Sequence, residues 1–240
     1  MNGFNPTLLG IEIRRLLRNR RTVIFTLVLP VAFFLMFGRT QSDPAARAYV
    51  LVSLAVYGAM VATTSGGAMV AVERAQGWTR QLRLTPLHPA AYLATKVCVA
   101  MILAAVSVAV ALVAGAASGV HLPVRVWLGC ALAAWLGSLV FAVFGLAMGY
   151  LLPSENVMQI LGPVLAALAF LGGLFAPVDT LGPTMATLAT FTPAYGVASI
   201  ARWPLLHTGF TTGAVINVLL WSSLFAVLAA VLFRRDTARA

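Results

Sequence analysis

Charged residues are scarce in this sequence: Asp, Glu, Lys and Arg together make up 9% of its 240 residues. A soluble domain carries roughly 25% charged residues, so this chain has too few polar side chains to coat a soluble globule. Intrinsic disorder is excluded as well, because it requires low hydrophobicity, whereas 61% of these residues are hydrophobic. The composition therefore predicts a protein that is mostly immersed in lipid.

Lysine is the rarest basic residue, and Lys96 is the single one in the chain. A nucleotide-binding P-loop needs a lysine that follows glycine and precedes Ser or Thr. Lys96 follows Thr95 and precedes Val97, so no P-loop of this kind is expected and any ATP would be bound by a partner. The formal charge of +10 would suggest nucleic acid for a soluble protein, but here the arginines follow membrane topology and no nucleic-acid partner is expected.

Cysteine is also rare, and Cys98 and Cys130 both lie in apolar runs without a C-x-x-C spacing. We therefore expect buried apolar cysteines and no metal site. An intramembrane enzyme would need paired groups within the spans, such as two Asp, Ser with Lys, or H-E-x-x-H. No such pair occurs, so no catalytic residue is assigned and an enzyme is the disfavoured alternative.

Long stretches without charge are what the sequence has in abundance. A membrane-spanning helix needs about 20 apolar residues, and seven candidate stretches occur: 22–38, 48–72, 97–124, 126–154, 156–178, 180–201 and 203–233. Stretch 180–201 contains five threonines and two prolines, which make a poor lipid-facing helix. We predict an all-α integral membrane protein with six transmembrane helices, and with short re-entrant helices on the outer side, over 176–201, between spans five and six.

The basic residues divide unequally between the two sides of such a bundle. Twelve of them fall in three groups that the positive-inside rule places in the cytoplasm: Arg14, Arg15, Arg18, Arg20 and Arg21; Arg74, Arg80, Arg83 and Lys96; Arg234, Arg235 and Arg239. The remaining four, Arg39, Arg47, Arg125 and Arg202, fall on the outer side. Six spans with both termini cytoplasmic satisfy this division and predict a multi-pass membrane protein. The large excess of arginine over lysine is typical of a bacterial genome, so we expect the bacterial cytoplasmic membrane. A signal peptide cleaved near Ala48 is the alternative for the first span, although its n-region would be unusually long.

The N-terminal segment 5–21 has the pattern of an amphipathic helix. Asn5 and Pro6 are typical of a helix start. At 100° per residue, Leu9, Ile13, Leu16 and Leu17 share one face, and Arg14, Arg15, Arg18 and Arg21 share the opposite one. Such a helix lies in the headgroup layer of a membrane. The alternative is an arginine cluster that only sets topology.

The loop 73–89 between spans two and three resembles a signature of ABC-2-type transporter permeases, E-R-x-x-G-x-x-x-x-L-x-x-T-P-L. The matching residues are Glu73, Arg74, Gly77, Leu82, Thr85, Pro86 and Leu87. Two further segments resemble the same family: the Pro-Ser-Glu-Asn turn at 153–156, and the Gly- and Pro-rich stretch from 172 to 195. The resemblance covers nearly the whole chain, so residues 1–240 are interpreted as a single ABC-2-type transmembrane domain.

The resemblance implies a permease subunit that forms its pathway with a second permease, identical or paralogous, and is driven by two copies of an ABC ATPase carrying ATP and magnesium. In such an assembly the loop 73–89 couples to the ATPase through Glu73, Arg74, Gly77, Leu82, Arg83, Thr85 and Pro86. The short outer helices close the exit, with Pro177, Pro183, Pro193 and Tyr195 as gate residues. Membrane lipid and a hydrophobic small molecule are the other expected partners.

Polar side chains within spans usually face the protein interior or a cavity, and on this basis we predict a substrate pathway lined by Thr63, Thr64, Ser65, Asn156, Gln159, Phe170 and Phe175. Close helix packing is the competing interpretation of the first three. No ionisable residue occurs near the centre of a span, which argues against proton coupling and favours export of a drug-like, antibiotic or lipidic compound. The alternatives are a polysaccharide, a lipid-linked glycan or a peptide as cargo, or a membrane sensor or anchor subunit that transports nothing.

Overall fold

The computed structural model describes residues 24–77, 89–207 and 212–239, together with Gly10 and Arg14. Within these ranges the regular structure is entirely helical and contains no strand, as the sequence predicts. The predicted interfacial helix at 5–21 lies outside the described residues apart from Gly10 and Arg14. Positions 78–88 of the loop 73–89 also lie outside them.

The helices of the described ranges are numbered α1 to α9 in chain order. α1 (Leu29–Phe33) lies between two π-helical turns, Ile24–Val28 and Phe34–Gly38. The remaining helices are α2 (Pro44–Ala75), α3 (Pro89–Ala117), α4 (Val124–Gly137), α5 (Leu139–Leu151), α6 (Val157–Leu171), α7 (Pro183–Thr190), α8 (Pro193–Leu206) and α9 (Thr212–Arg239).

Among the described residues, four helical segments are long and apolar enough to cross a membrane: Pro44–Ala75, Ala91–Ala117, Val124–Leu151 and Thr212–Asp236. The third of these consists of α4 and α5, which follow each other at Ser138. Two shorter apolar helices, Thr26–Gly38 and Val157–Leu171, occupy the first and fifth predicted spans. The chain is therefore a multi-pass helical membrane protein.

Three predicted boundaries are wrong because charged residues were taken as helix ends. α3 begins at Pro89 and contains Lys96, although the predicted span began at 97. α8 extends through Arg202 to Leu206, although the predicted re-entrant segment ended at 201 and the last span began at 203. Both side chains are hydrogen-bonded inside the protein, so their charges do not force the chain into water.

Helix starts follow local sequence signals closely. The Asp43 carboxylate accepts hydrogen bonds from the backbone N–H groups of Ala45 and Ala46 and caps α2, with Pro44 in the first turn. Pro183 and Pro193 begin α7 and α8, where a missing N–H and a fixed φ cost nothing. The two prolines that made 180–201 unlike a span therefore divide it into two short helices.

The last helix holds these short helices through polar side chains. The Asn217 amide of α9 donates to the Thr190 carbonyl over 2.8 Å, and the Trp221 indole donates to the Phe191 carbonyl over 2.8 Å. Both carbonyls lie at the end of α7, where backbone acceptors have no partner within the helix. α9 therefore fixes the turn between α7 and α8.

α2 is the central helix of the fold and packs most extensively against α3 and α5. Every residue from Leu51 to Met60 is buried. The contact with α5 is made by backbone: a Cβ on Gly145 would lie 2.4 Å from the Thr64 carbonyl oxygen, and one on Gly67 would lie 2.5 Å from the Leu146 nitrogen. Only glycine permits this approach, which is how small residues bring helices together in membranes.

Gly145→Ala tests the α2–α5 contact. The added methyl group collides with the α2 main chain, so we expect a loss of about 1–3 kcal/mol, as for overpacked cores. Gly162→Ala on α6 is the matched control, because its added Cβ meets nothing within 4 Å and alanine favours a helix by roughly 1 kcal/mol over glycine. The midpoint of thermal denaturation in detergent should fall for Gly145→Ala and be unchanged or rise for Gly162→Ala. Equal midpoints would show that the close contact is absent.

Candidate functional site

The end of α2 that leads into the loop 73–89 contains a buried ion pair. Glu73 is 1% exposed, and its Oε1 lies 2.5 Å from Lys96 Nζ on α3. Its Oε2 accepts a hydrogen bond of 2.5 Å from the Tyr92 hydroxyl, also on α3. Because these contacts join the last turn of α2 to the first turns of α3, the two helices that flank the loop are fixed to each other at its base.

Arg74 makes a second connection at the same end. Its guanidinium donates to Asp236 Oδ1 on α9 from Nε (3.0 Å) and from Nη2 (2.5 Å). Its Nη1 donates to the Gly149 and Tyr150 carbonyls in the last turn of α5. The last carbonyls of an α-helix receive no hydrogen bond from within the helix, so a cation at that end can donate to them and also interacts favourably with the helix dipole. Arg74 thus joins α2, α5 and α9.

Gly77 lies directly beyond this cluster and has a left-handed backbone conformation. Its φ is +72°, and its N–H donates to the Arg74 carbonyl over 3.0 Å. The space around it is open, so glycine is required here by backbone conformation and not by packing. Of the predicted coupling residues, Leu82, Arg83, Thr85 and Pro86 lie outside the described part of the chain.

The predicted pathway residues do not come together in the described protomer. Thr63, Thr64 and Ser65 are buried, and the Thr63 hydroxyl donates to the Ala59 carbonyl of its own helix. This arrangement agrees with the packing interpretation. Asn156 and Gln159 are exposed at the start of α6, as are Phe170 (47%) and Phe175 (40%) towards its other end. These four side chains are therefore accessible on the surface of the described chain.

A second polar cluster surrounds Arg202, which is 5% exposed on α8. Its Nη1 donates to the Tyr49 hydroxyl, to the Gly173 carbonyl at 2.9 Å and to Ser53 Oγ at 3.4 Å. Tyr49 and Ser53 lie near the start of α2, whereas Gly173 follows α6. Arg202 therefore holds α8 against α2 and the end of α6.

The two clusters lie at opposite ends of α2. Tyr49 and Glu73 are separated by 24 positions, which is about 36 Å at the 1.5 Å rise of an α-helix. The hydrocarbon core of a bilayer is about 30 Å thick. The spacing therefore allows both clusters to lie at membrane interfaces, where their charges are tolerated.

Two of the four predicted gate residues lie beside Arg202. Pro177 and Tyr195 line one cavity together with Arg202, and the volume of that cavity is about 490 Å³. Pro183 and Pro193 instead begin α7 and α8. The assignment of these four residues to a gate stays a prediction.

Sequence reasoning missed five residues that build the two clusters: Tyr49, Tyr92, Lys96, Arg202 and Asp236. For two of them a signal was present. Lys96 is the single lysine of the chain, and Arg202 is the one charged residue of the sequence between Asp179 and Arg234. An isolated charge in a long apolar segment is expensive in lipid unless it is paired, and this could have marked both as buried partners.

Two comparisons with known proteins both point to transport proteins. A family model described as ABC-2 type transporter matches residues 6–206. The chain is also 29% identical over 236 residues to a protein of Bacillus subtilis (strain 168) named "Putative transport permease YvfS", and the alignment covers 95% of this chain and 96% of that protein. The matched range 6–206 contains Glu73, Lys96 and Arg202.

A double-mutant cycle tests the Glu73–Lys96 pair. Lys96→Met removes the ammonium group and leaves an unpaired buried carboxylate. We expect this to lower the free energy of unfolding by roughly 3–5 kcal/mol. The double variant Glu73→Gln, Lys96→Met removes both charges and keeps a polar partner for Tyr92, so it should recover a large part of this loss. The thermal denaturation midpoints of the purified single and double variants provide the measurement. Additive effects of the two substitutions would contradict the pairing.

Proposed function

Because the chain belongs to the ABC-2 type transporter family, we propose that it is the permease subunit of an ATP-driven exporter whose ATPase is a separate polypeptide. The chain forms the membrane-spanning part and, with no P-loop in its sequence, depends on a partner for ATP and magnesium. The observation that carries this proposal is the clamped base of the loop 73–89, where Glu73 and Arg74 tie the loop to three other helices.

The clamped base supports a role of the loop 73–89 as a lever. The Glu73–Lys96 pair joins the helix that enters the loop to the helix that leaves it. Arg74 adds α5 and α9 to the same rigid unit. A partner that displaces the loop then displaces the ends of all four helices together. This is a two-state element whose equilibrium a nucleotide can bias from a distance.

Within this lever the coupling residues have two different tasks. Glu73 is buried and Arg74 is partly buried, so these two transmit force inside the membrane domain. Gly77 sets the direction in which the chain leaves α2. Leu82, Arg83, Thr85 and Pro86 follow in the loop, and we assign to them the contact with the ATPase.

The proposed topology has six spans with both termini in the cytoplasm. The four long apolar helices support four of the crossings, and the helix Thr26–Gly38 and α6 provide the other two together with their flanking residues. The positive-inside rule then places the Glu73 cluster in the cytoplasm and the Arg202 cluster on the outer side. In this orientation segment 5–21 lies on the inner surface as an amphipathic helix, and α7 and α8 lie on the outer side.

Two permease subunits, identical or paralogous, enclose the proposed pathway. α6 supports this arrangement because Gln159 and Phe170 are exposed on it and Asn156 is exposed directly before it. Gln159 and Phe170 are eleven positions apart and therefore project from nearly the same side of the helix. Polar groups at one end and an aromatic ring at the other suit an amphipathic passenger.

The proposed cargo is a drug-like, antibiotic or lipidic compound, and a polysaccharide, a lipid-linked glycan or a peptide is the alternative. A membrane sensor or anchor for an ATPase is the second candidate function, since the clamped loop would dock an ATPase in either case. The two functions differ in one measurement. Inverted vesicles that contain the chain and its ATPase accumulate a hydrophobic dye on ATP addition only if the chain is a permease.

Gly77→Pro tests the coupling role in this assay. Proline cannot adopt a φ of +72° and removes the N–H that donates to Arg74, so the loop leaves α2 in another direction. We expect ATP-dependent dye uptake and stimulation of the ATPase to fall at least tenfold.

Gly119→Pro is the matched control for this substitution. Gly119 also has a positive φ (+84°), donates its N–H to the preceding helix and has open space around it, but it lies at the opposite end of α3. Both variants should remain monodisperse on size-exclusion chromatography. Full transport and full ATPase stimulation by Gly77→Pro would refute the coupling assignment.

A further inference from the structure

The cavity beside Arg202 has walls of two different chemical characters. One face of α8 supplies Tyr195, Ser199 and Arg202, and the segment after α6 supplies Val178 and Asp179. Ala186 on α7 and Leu206 at the end of α8 add apolar surface. A volume of about 490 Å³ is in the range of small-molecule sites, which are mostly apolar with a few convergent polar groups.

The polar wall is built from hydrogen-bond donors. Tyr195, Ser199 and Arg202 are spaced by four and by three positions, so they form a stripe along one face of α8. A tyrosine hydroxyl, a serine hydroxyl and a guanidinium can all donate hydrogen bonds to one acceptor group. The pattern is therefore that of a site for an electron-rich ligand.

No carboxylate of the described residues lies within ion-pair distance of Arg202, although Asp179 lines the same cavity. Its Nε donates to the Ala198 carbonyl and its Nη1 to Tyr49, Ser53 and Gly173, all of which are uncharged acceptors. Its Nη2 makes no hydrogen bond, and no carboxylate forms an ion pair with it, among the residues described. A buried charge without a counter-ion is costly, and a bound anion would remove that cost.

We propose that this cavity binds the phosphate or carboxylate headgroup of an anionic amphiphile. Arg202 Nη2 and the hydroxyls of Ser199 and Tyr195 donate to the headgroup oxygens. The guanidinium fork suits such planar or tetrahedral anions, and charge-assisted hydrogen bonds are the stronger kind. The apolar part of the ligand contacts the wall formed by Val178, Ala186 and Leu206.

Asp179 provides a separate test of the charge of the ligand. Its side chain is exposed at the cavity and carries the same charge as the ligand. It disfavours an anion there by repulsion, which weakens with screening in water. Removal of this charge by Asp179→Asn should therefore raise the affinity for an anionic ligand. A zwitterionic ligand whose cation contacts Asp179 would show the opposite change.

The inference goes beyond the permease function, because it assigns a ligand to this cavity. A resident lipid and a transported anion would both bind through the same hydrogen-bond donors. Two probes separate these sources. The first is phosphatidylglycerol compared with phosphatidylcholine, presented to the full chain in nanodiscs and counted as retained lipid by native mass spectrometry. The second is glycerol 1-phosphate, which carries the headgroup chemistry without acyl chains. Retention of phosphatidylglycerol alone identifies a lipid site, and binding of glycerol 1-phosphate identifies a site for a free anion; either result supports the proposal.

The decisive comparison uses conservative variants, because Arg202→Gln also removes the contacts to Tyr49 and Gly173. Ser199→Ala and Tyr195→Phe each remove one donor and should weaken binding of the anionic probe about two- to tenfold. Asp179→Asn should strengthen it about two- to threefold. A folded Arg202→Gln variant should lose it at least tenfold.

Arg125→Gln is the charge-matched control, since it removes an exposed arginine at the same end of the bundle, and it should leave binding unchanged. Thr184→Ala removes an exposed hydroxyl of α7 and should also have no effect. The proposal is overturned if neither probe binds in preference to phosphatidylcholine, if Ser199→Ala and Tyr195→Phe both bind as the unmodified chain does, if Asp179→Asn weakens binding, or if Arg125→Gln weakens binding as much as the cavity variants do.

Discussion

The backbone contact between α2 and α5 is the constraint on which the rest of this fold depends. Gly67 and Gly145 bring the two main chains together with no room for a Cβ atom. In lipid, the hydrophobic effect does not drive apolar helices together, so close van der Waals packing of this kind supplies much of their association. Because α2 is buried against its neighbours, the positions of its two ends are fixed, and charged side chains can form defined contacts there.

The polar interactions are divided between those two ends. Glu73 and Arg74 bind α3, α5 and α9 at one end, and Tyr49 and Ser53 receive Arg202 of α8 at the other. A separation of about 36 Å matches a bilayer with its interfaces. In the proposed exporter, α2 therefore connects the loop that receives force with the cavity that we assign to an anionic headgroup. A rigid helix with polar contacts at both ends can transmit a displacement between them.

The class of fold and the position of most helices were predictable from the sequence, whereas the helix ends near charges were not. The prolines at 183 and 193 argued against a continuous span over 180–201, and in the structure they stand at the first turns of α7 and α8, a position that suits proline. Lys96 and Arg202 were taken as limits of apolar segments, yet both lie within helices. Their isolation in apolar segments could mark these charges as buried, but their partners are distant in sequence, so no local pattern could identify them. Thr63 and Thr64 likewise carry no local signal that separates packing from a pathway.

The sequence by itself determined that this chain lies in a membrane and where its apolar segments run, because transfer to lipid is close to a sum over residues and depends little on their arrangement. Only the tertiary structure decided which charge meets which partner. α2 is apolar on all sides, so its periodicity does not define which face turns towards α3 or α5. The pairs Glu73–Lys96 and Tyr49–Arg202 arise from how the helices are rotated and packed, and that depends on contacts between residues far apart in the chain.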